Sequence, residues 1–168
     1  MQNHGGVPDA DLIIRLVVAG NRRQPVRILN IAPVGTCTAP LTGTEMNSPS
    51  AGDDTTDYIA FNLDDKQPVA DAYKNGGFEG SYFDRTTVSL RYTEQQVFLI
   101  LAQTYKHYCQ FRLQFSVLDG TKVITETTGN ARQPFRVSGP APVYKEVYNG
   151  GIAGGFDGRF VEFRPHRP

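Results

Sequence analysis

Thr93-Glu-Gln-Gln-Val-Phe-Leu-Ile-Leu-Ala-Gln-Thr-Tyr-Lys-His-Tyr-Cys-Gln-Phe-Arg-Leu-Gln-Phe-Ser-Val-Leu118 is the stretch that decides the fold. In its second half Cys109, Phe111, Leu113, Phe115 and Val117 alternate with Gln110, Arg112, Gln114 and Ser116. Successive strand side chains point to opposite faces, so this segment has one apolar face and one polar face, and no helical period fits it. The first half, Val97 to Ala102, is apolar at every position and predicts a strand covered on both faces. Tyr105-Lys106-His107 is the expected turn, which would make the two halves antiparallel neighbours.

Working outward, the same alternation recurs at short intervals. Upstream, Asp11 to Ala19 reads as a strand ended by Gly20-Asn21. Pro25 to Ile31 reads as a second, ended by Pro33 and Gly35. Tyr58 to Leu63 turns Ile59, Phe61 and Leu63 inward, and a short turn or helical piece is expected over Pro68 to Tyr73. Asn75-Gly76-Gly77 signals a turn, and Thr86, Val88 and Leu90 mark another inward face. Downstream, Asp119-Gly120 between Val117-Leu118 and Val123-Ile124 is a hairpin signal. Phe135 and Val137 form the last core strand before Gly139-Pro140. About seven core strands at this spacing predict an all-β fold, a single antiparallel β-sandwich of immunoglobulin-like architecture. The immunoglobulin pattern is incomplete, since the chain has no Trp and His107 stands where a corner tyrosine would be. Residues 1–10 read as a flexible lead-in, 11–140 as the sandwich, and 141–168 as a C-terminal extension. One or two edge strands are expected there, at Val143–Tyr148 and Arg159–Arg164.

The 168 residues suffice for one domain with a real core. Charges balance at a net +0, which leaves no electrostatic footprint for nucleic acid or an anionic membrane surface. No apolar run reaches membrane-spanning length, and Met1-Gln-Asn-His-Gly-Gly is not a signal peptide. The two cysteines, Cys37 and Cys109, have no Cys-x-x-Cys or histidine spacing that suggests a metal. They are either two buried thiols or one inter-strand disulfide, and the disulfide is the expectation. It implies an oxidising compartment, with any anchor lying upstream of Met1.

Chemistry is thin. Gly-x-Ser-x-Gly is absent, and Gly150-Gly151, Gly154-Gly155 and Gly158 lack the Lys-Ser/Thr of a phosphate-binding loop. His4, His107 and His166 lie far apart, and only His107 could serve a triad. Asp53, Asp54 and Asp57 invite calcium, but the ordered ligand spacing of a calcium loop is missing. Carboxylate pairs for glycoside chemistry can be drawn from Asp64, Asp65, Asp84 and Glu94 without reason to choose among them. No catalytic residue, metal or cofactor is therefore assigned. Tyr73, Tyr82 and Phe83 are the candidate ligand-binding residues, as aromatics outside the alternating core pattern.

These residues also carry a resemblance. Cys37-Thr-Ala-Pro-Leu-Thr-Gly-Thr44, Ile59-Ala-Phe-Asn-Leu-Asp64, Pro68-Val-Ala70, Tyr82-Phe83, Glu94, Cys109-Gln-Phe111 and Arg132-Gln-Pro-Phe-Arg-Val137 span roughly residues 11 to 138. In them the chain resembles a domain of uncharacterised actinobacterial envelope proteins, where it follows a membrane anchor. The resemblance implies an extracytoplasmic location and no activity. A non-catalytic interaction, sensory or spacer module is the resulting expectation, with a protein partner or a cell-wall glycan and tethering through an upstream anchor. A carbohydrate-binding module built on the surface aromatics is the alternative.

Overall fold

The computed structural model describes residues 5–47, 58–128 and 133–150 and the two-residue strand 161–162. Thirteen strands and no helix are found among them: β1 (Asp11–Ala19), β2 (Val26–Thr38), β3 (Thr44–Asn47), β4 (Tyr58–Asn62), β5 (Asp71–Lys74), β6 (Gly77–Ser81), β7 (Val88–Leu90), β8 (Gln95–Gln103), β9 (Tyr108–Asp119), β10 (Lys122–Thr127), β11 (Phe135–Ser138), β12 (Glu146–Asn149) and β13 (Val161–Glu162). One sheet runs β1-β8-β4-β5-β6. A second runs β10-β9-β2-β7, with β11 also paired to β9, and a small third sheet runs β13-β12-β3. The chain is all-β, as its alternation predicts.

The first two sheets face each other across one core. From the first sheet come Leu12, Ile14, Ile59, Phe61, Phe98, Ile100 and Ala102. From the second come Val26, Ile28, Ile31, Val88, Leu90, Cys109, Phe111, Leu113, Phe115 and Val137. Every inward residue read from the Cys109–Val117 alternation lies in this core or packs against it. Val97–Ala102 meets the two-sided expectation in part. Phe98, Ile100 and Ala102 point into the main core and Leu101 joins an outer cluster with Tyr58 and Ala60, whereas Val97 is 40% exposed.

The two halves of the opening stretch are not sheet neighbours. β8 pairs β1 and β4 in one sheet, and β9 pairs β2, β10 and β11 in the other. Thr104–His107 is therefore an arch that carries the chain across the core rather than a hairpin turn. A connection of four residues cannot distinguish the two when both strands are amphipathic. The sheets are antiparallel except where β4 pairs β8, and β12 pairs β3, in parallel.

Pro33 and Gly35 do not end β2, which continues to Thr38. Beyond Ile28, where β7 stops, the far side of β2 has no partner among the described residues. Cys37 and Cys109, directly opposed, have Cα atoms 4.1 Å apart, the spacing of a non-hydrogen-bonded antiparallel pair. Pro33, opposite Leu113 with the same parity, thus turns its nitrogen to the open edge and removes no ladder bond. Gly35 is needed because a Cβ there would collide with the Gln110 carbonyl oxygen and Phe111 Cα.

A bulge lies between Ile28 and Asn30. Counting in twos from Val26 and Ile28 would turn Cys37 outward. The extra residue, Leu29, shifts the phase so that Ile31, Pro33, Gly35 and Cys37 lie on the face that carries Phe115, Leu113, Phe111 and Cys109, with Gly35 and Cys37 themselves exposed where the strand runs past the core. The bulge is what brings Cys37 to the same face as Cys109.

Turns follow their local chemistry. Asn75 (φ 51°) and Gly76 (φ 80°) form the two-residue turn between β5 and β6, the mirror-image geometry favoured by Asn-Gly. Residues 71–73 are strand, so no helical piece covers Pro68 to Tyr73. Between β9 and β10 the turn residues are Gly120 (φ 62°) and Thr121, one position later than the Asp-Gly reading.

Candidate functional site

Two places gather chemistry-bearing side chains. The first is the arch. Asp64, two residues beyond β4, has a side chain only 8% exposed and accepts four hydrogen bonds from it. Its Oδ1 receives Thr104 Oγ1 at 2.7 Å, His107 Nδ1 at 2.8 Å and the Lys106 N–H at 3.3 Å, and its Oδ2 receives the Tyr105 N–H at 2.8 Å. Thr104, fully buried, also accepts the His107 N–H at 3.1 Å, and the His107 carbonyl accepts the Gly139 N–H at 2.7 Å. Burial opposes ionisation of Asp64 and is the largest single influence on it. The donors from Tyr105, Thr104, His107 and Lys106 together outweigh burial and hold the carboxyl below its ordinary range.

This arrangement holds a loop in place. Asp64 and His107 form the acid–base half of a triad, but among the described residues no hydroxyl or thiol is bonded to the other ring nitrogen. The nearby Ser138 hydroxyl is turned to the Gly139 carbonyl (2.9 Å) and accepts the Leu41 N–H (3.1 Å). Tyr105 stands beside the clamp, 57% exposed. Its phenol is raised above the ordinary range chiefly by the Asp11 charge, then by burial, Tyr73 and Asp64.

The second place is the flank of the first sheet that carries the expected aromatics. β4 pairs β8 only from Ile59↔Ile100 to Asn62↔Gln103, so the first half of β8 has no neighbour on that side among the described residues. A depression of about 570 Å³ lies there, lined by Tyr58, Lys74, Glu79, Tyr82, Arg85 and Leu99 among others. Tyr82 reaches it and stacks edge-on against Phe83, with ring centroids 5.1 Å apart; both pack against the main core. Tyr73 is instead edge-on to Phe78 at 5.2 Å, beside the outer cluster. Of the three candidate residues, the structure brings Tyr82 to the depression and uses Phe83 to support it, while Tyr73 lies outside the lining.

A further opening was not foreseen. Between β1 and β10 the two sheets part in a slot of about 350 Å³, walled by Leu16 and Val18 on one side and Phe115, Val117 and Ile124 on the other. No sequence signal marks it, because these residues continue the core alternation. Only the topology shows that both strands lie at sheet edges.

Cys37 and Cys109 form a disulfide, and no free cysteine remains. The bridge joins neighbouring strands of one sheet, unlike the inter-sheet bridge of immunoglobulin domains. Asp53, Asp54 and Asp57 lie outside the described residues, as do Gly151 to Gly158. Among the described residues no group of three or more His, Cys, Asp or Glu is placed to hold a metal, and no helix is long and apolar enough to cross a membrane. No family model, curated protein or solved structure matches the chain.

Proposed function

We propose that this chain is a non-catalytic interaction module of an extracytoplasmic, cell-envelope protein. The observation that carries the reading is the Cys37–Cys109 bridge, whose Cys109 is fully buried among the core residues. Such a bond persists in oxidising compartments, whereas cytosolic thiols are kept reduced. The side chains best placed for acid–base chemistry, Asp64 and His107, are engaged in fixing the arch, which favours a binding role. Fusion of the chain, expressed as its own gene encodes it, to a reporter active only outside the cytoplasm tests the location. Thiol titration of protein recovered from the native host tests the bridge. A reporter active only in the cytoplasm, together with two free thiols per chain, ends the proposal.

A second reading, a carbohydrate-binding module, is favoured by the depression beside Tyr82, where an aromatic face meets Lys74, Glu79 and Arg85. Saturable binding on an array of cell-wall glycans, lost in Tyr82→Ala, would favour it over a protein partner. An array without signal removes it.

A further inference from the structure

We propose that the outer edge of β1 takes up an extended peptide of a partner protein as an added strand, with its alternate apolar side chains filling the slot between β1 and β10. The proposal rests on the reading of the chain as an interaction module and gives that module its surface.

The first observation is the edge. β1 pairs β8 through nine consecutive positions, Asp11↔Gln103 to Ala19↔Gln95, without a bulge. On its other side Asp9 and Ala10 are tied to Ser138, and beyond them no described residue pairs with the strand. Every second residue of β1 therefore turns its N–H and C=O to a flank that no described residue pairs.

The second observation is the slot beside that flank, lined by Leu16 and Val18 of β1 and by Phe115, Val117 and Ile124 of the opposite sheet. An acyl chain would fill such a slot and leave the edge unbonded. An extended peptide satisfies both at once, because its backbone bonds one strand while every second side chain points into the core.

The third observation is the contrast with the other edges. The open side of β2 is blunted by Pro33, β7 has three residues, β6 carries Gly77 and Gly80, and β10 carries Lys122 and Glu126. β1, Asp-Leu-Ile-Ile-Arg-Leu-Val-Val-Ala, has none of the devices that keep edges from pairing except the charges of Asp11 at its start and Arg15, and Leu16 to Ala19 beside the slot include no charge, Gly or Pro. Charge fixes the guest further. Arg15, Arg22 and Arg23 are exposed along the strand and at its end, with Glu126 across the slot and Asp11 at the strand's start, so the guest carries a carboxylate at its end beside Arg22 and Arg23 and none over β10. Among the described residues Arg22 has one ion pair, a 3.6 Å contact with Asp119 at the surface, weak enough to exchange.

The test uses the full oxidised chain and a synthetic pool of fluorescent peptides. These carry Val, Ile, Leu or Phe at alternate positions, Thr or Ser between them, and Glu at one end. Anisotropy should show saturable binding by members of the pool. N-methylation of one alternate set of amides in a binder should weaken it by roughly tenfold or more, and methylation of the other set should leave it nearly unchanged, since only one set faces β1. Ile124→Lys, which sets a charge at the slot, should weaken binding to a similar degree. The methylated pair needs no variant and decides the matter even if Ile124→Lys folds poorly. A pool without a binder overturns the proposal, as does equal binding by both methylated forms. So do saturable binding of laurate that peptides do not displace, and sedimentation showing self-association through β1. Thiol state and reporter location are read separately, so a failure here with the bridge intact leaves the module reading standing.

Discussion

Replacing the bridge with Cys37→Ser and Cys109→Ala should lower stability by about 4–5 kcal/mol. The bridged positions are 72 apart in sequence. Freeing a loop of that length in the unfolded chain corresponds to ~4 kcal/mol in the chain-entropy treatment. Cys109 is fully buried, so trimming its sulfur adds a small packing loss, below about 1 kcal/mol. For a chain of this size each kcal/mol moves the melting temperature by roughly 2–4 °C, so the midpoint should fall by about 10–15 °C. Urea unfolding of oxidised protein, reduced protein and the double variant, read by near-ultraviolet circular dichroism, measures it. The urea dependence should steepen without the bridge, because the unfolded chain then exposes more surface. Reduced protein and double variant should agree within about 1 kcal/mol. A double variant melting within about 3 °C of the oxidised protein would refute the reasoning, because the loop constraint would then contribute almost nothing.

Phe111→Ala should cost about 3–5 kcal/mol in the same experiment, since Phe111 is 3% exposed and its ring lies 5.7 Å from that of Phe135. A loss near zero would mean that the two faces of β9 are assigned wrongly. Asp64→Asn should remove part of the acid sensitivity. The folded carboxyl is held below its ordinary value, so its contribution is fully present above the unfolded value of about 3.9 and is lost as pH falls through the lower folded value. Unfolding curves from pH 6 to pH 2 should therefore converge for parent and variant at the acid end, and parallel curves would contradict the clamp. Gly35→Ala should destabilise by roughly 1–3 kcal/mol, because the new methyl meets the backbone at Gln110 and Phe111, which has little room to yield. A neutral Gly35→Ala would show that β2 and β9 part there more easily than the packing implies.

The core was legible because burial and strand parity are both local to the sequence. Cys109 to Val117 states its inward face in five residues, and Ile59, Phe61, Val88 and Leu90 follow the same rule. Connectivity was not legible. The Tyr105–His107 segment reads equally as a hairpin or an arch, and a fully buried Thr104 bonded to Asp64 forty residues away decides between them. Pro33 reads as a strand breaker because its tolerance depends on an open edge that only the sheet order reveals, and Gly35 because the close approach of Gln110 and Phe111 that requires it exists only once β2 and β9 are paired. β3 went unread inside a Thr-, Ser- and Gly-rich stretch, since its partner β12 lies about a hundred residues on. The site was legible in part. Tyr82 could be singled out as an aromatic off the core pattern, but the depression it faces exists only because β4 pairs half of β8.

The two ends of the sandwich are held unequally. At one, the Asp64-bound arch and the Asp9–Ser138 bridge tie the two sheets to each other, and the disulfide fixes β2 to β9 within one of them. At the other, Gly20 is held to the Arg91–Glu94 turn by two backbone hydrogen bonds, and the slot lies open beside it. Thermal breathing should therefore begin at the slot, where the second half of β1 parts from β10, while the arch end stays shut. Amide exchange should rise along β1 from Leu12 toward Ala19, so that transient water reaches the interior from a single side.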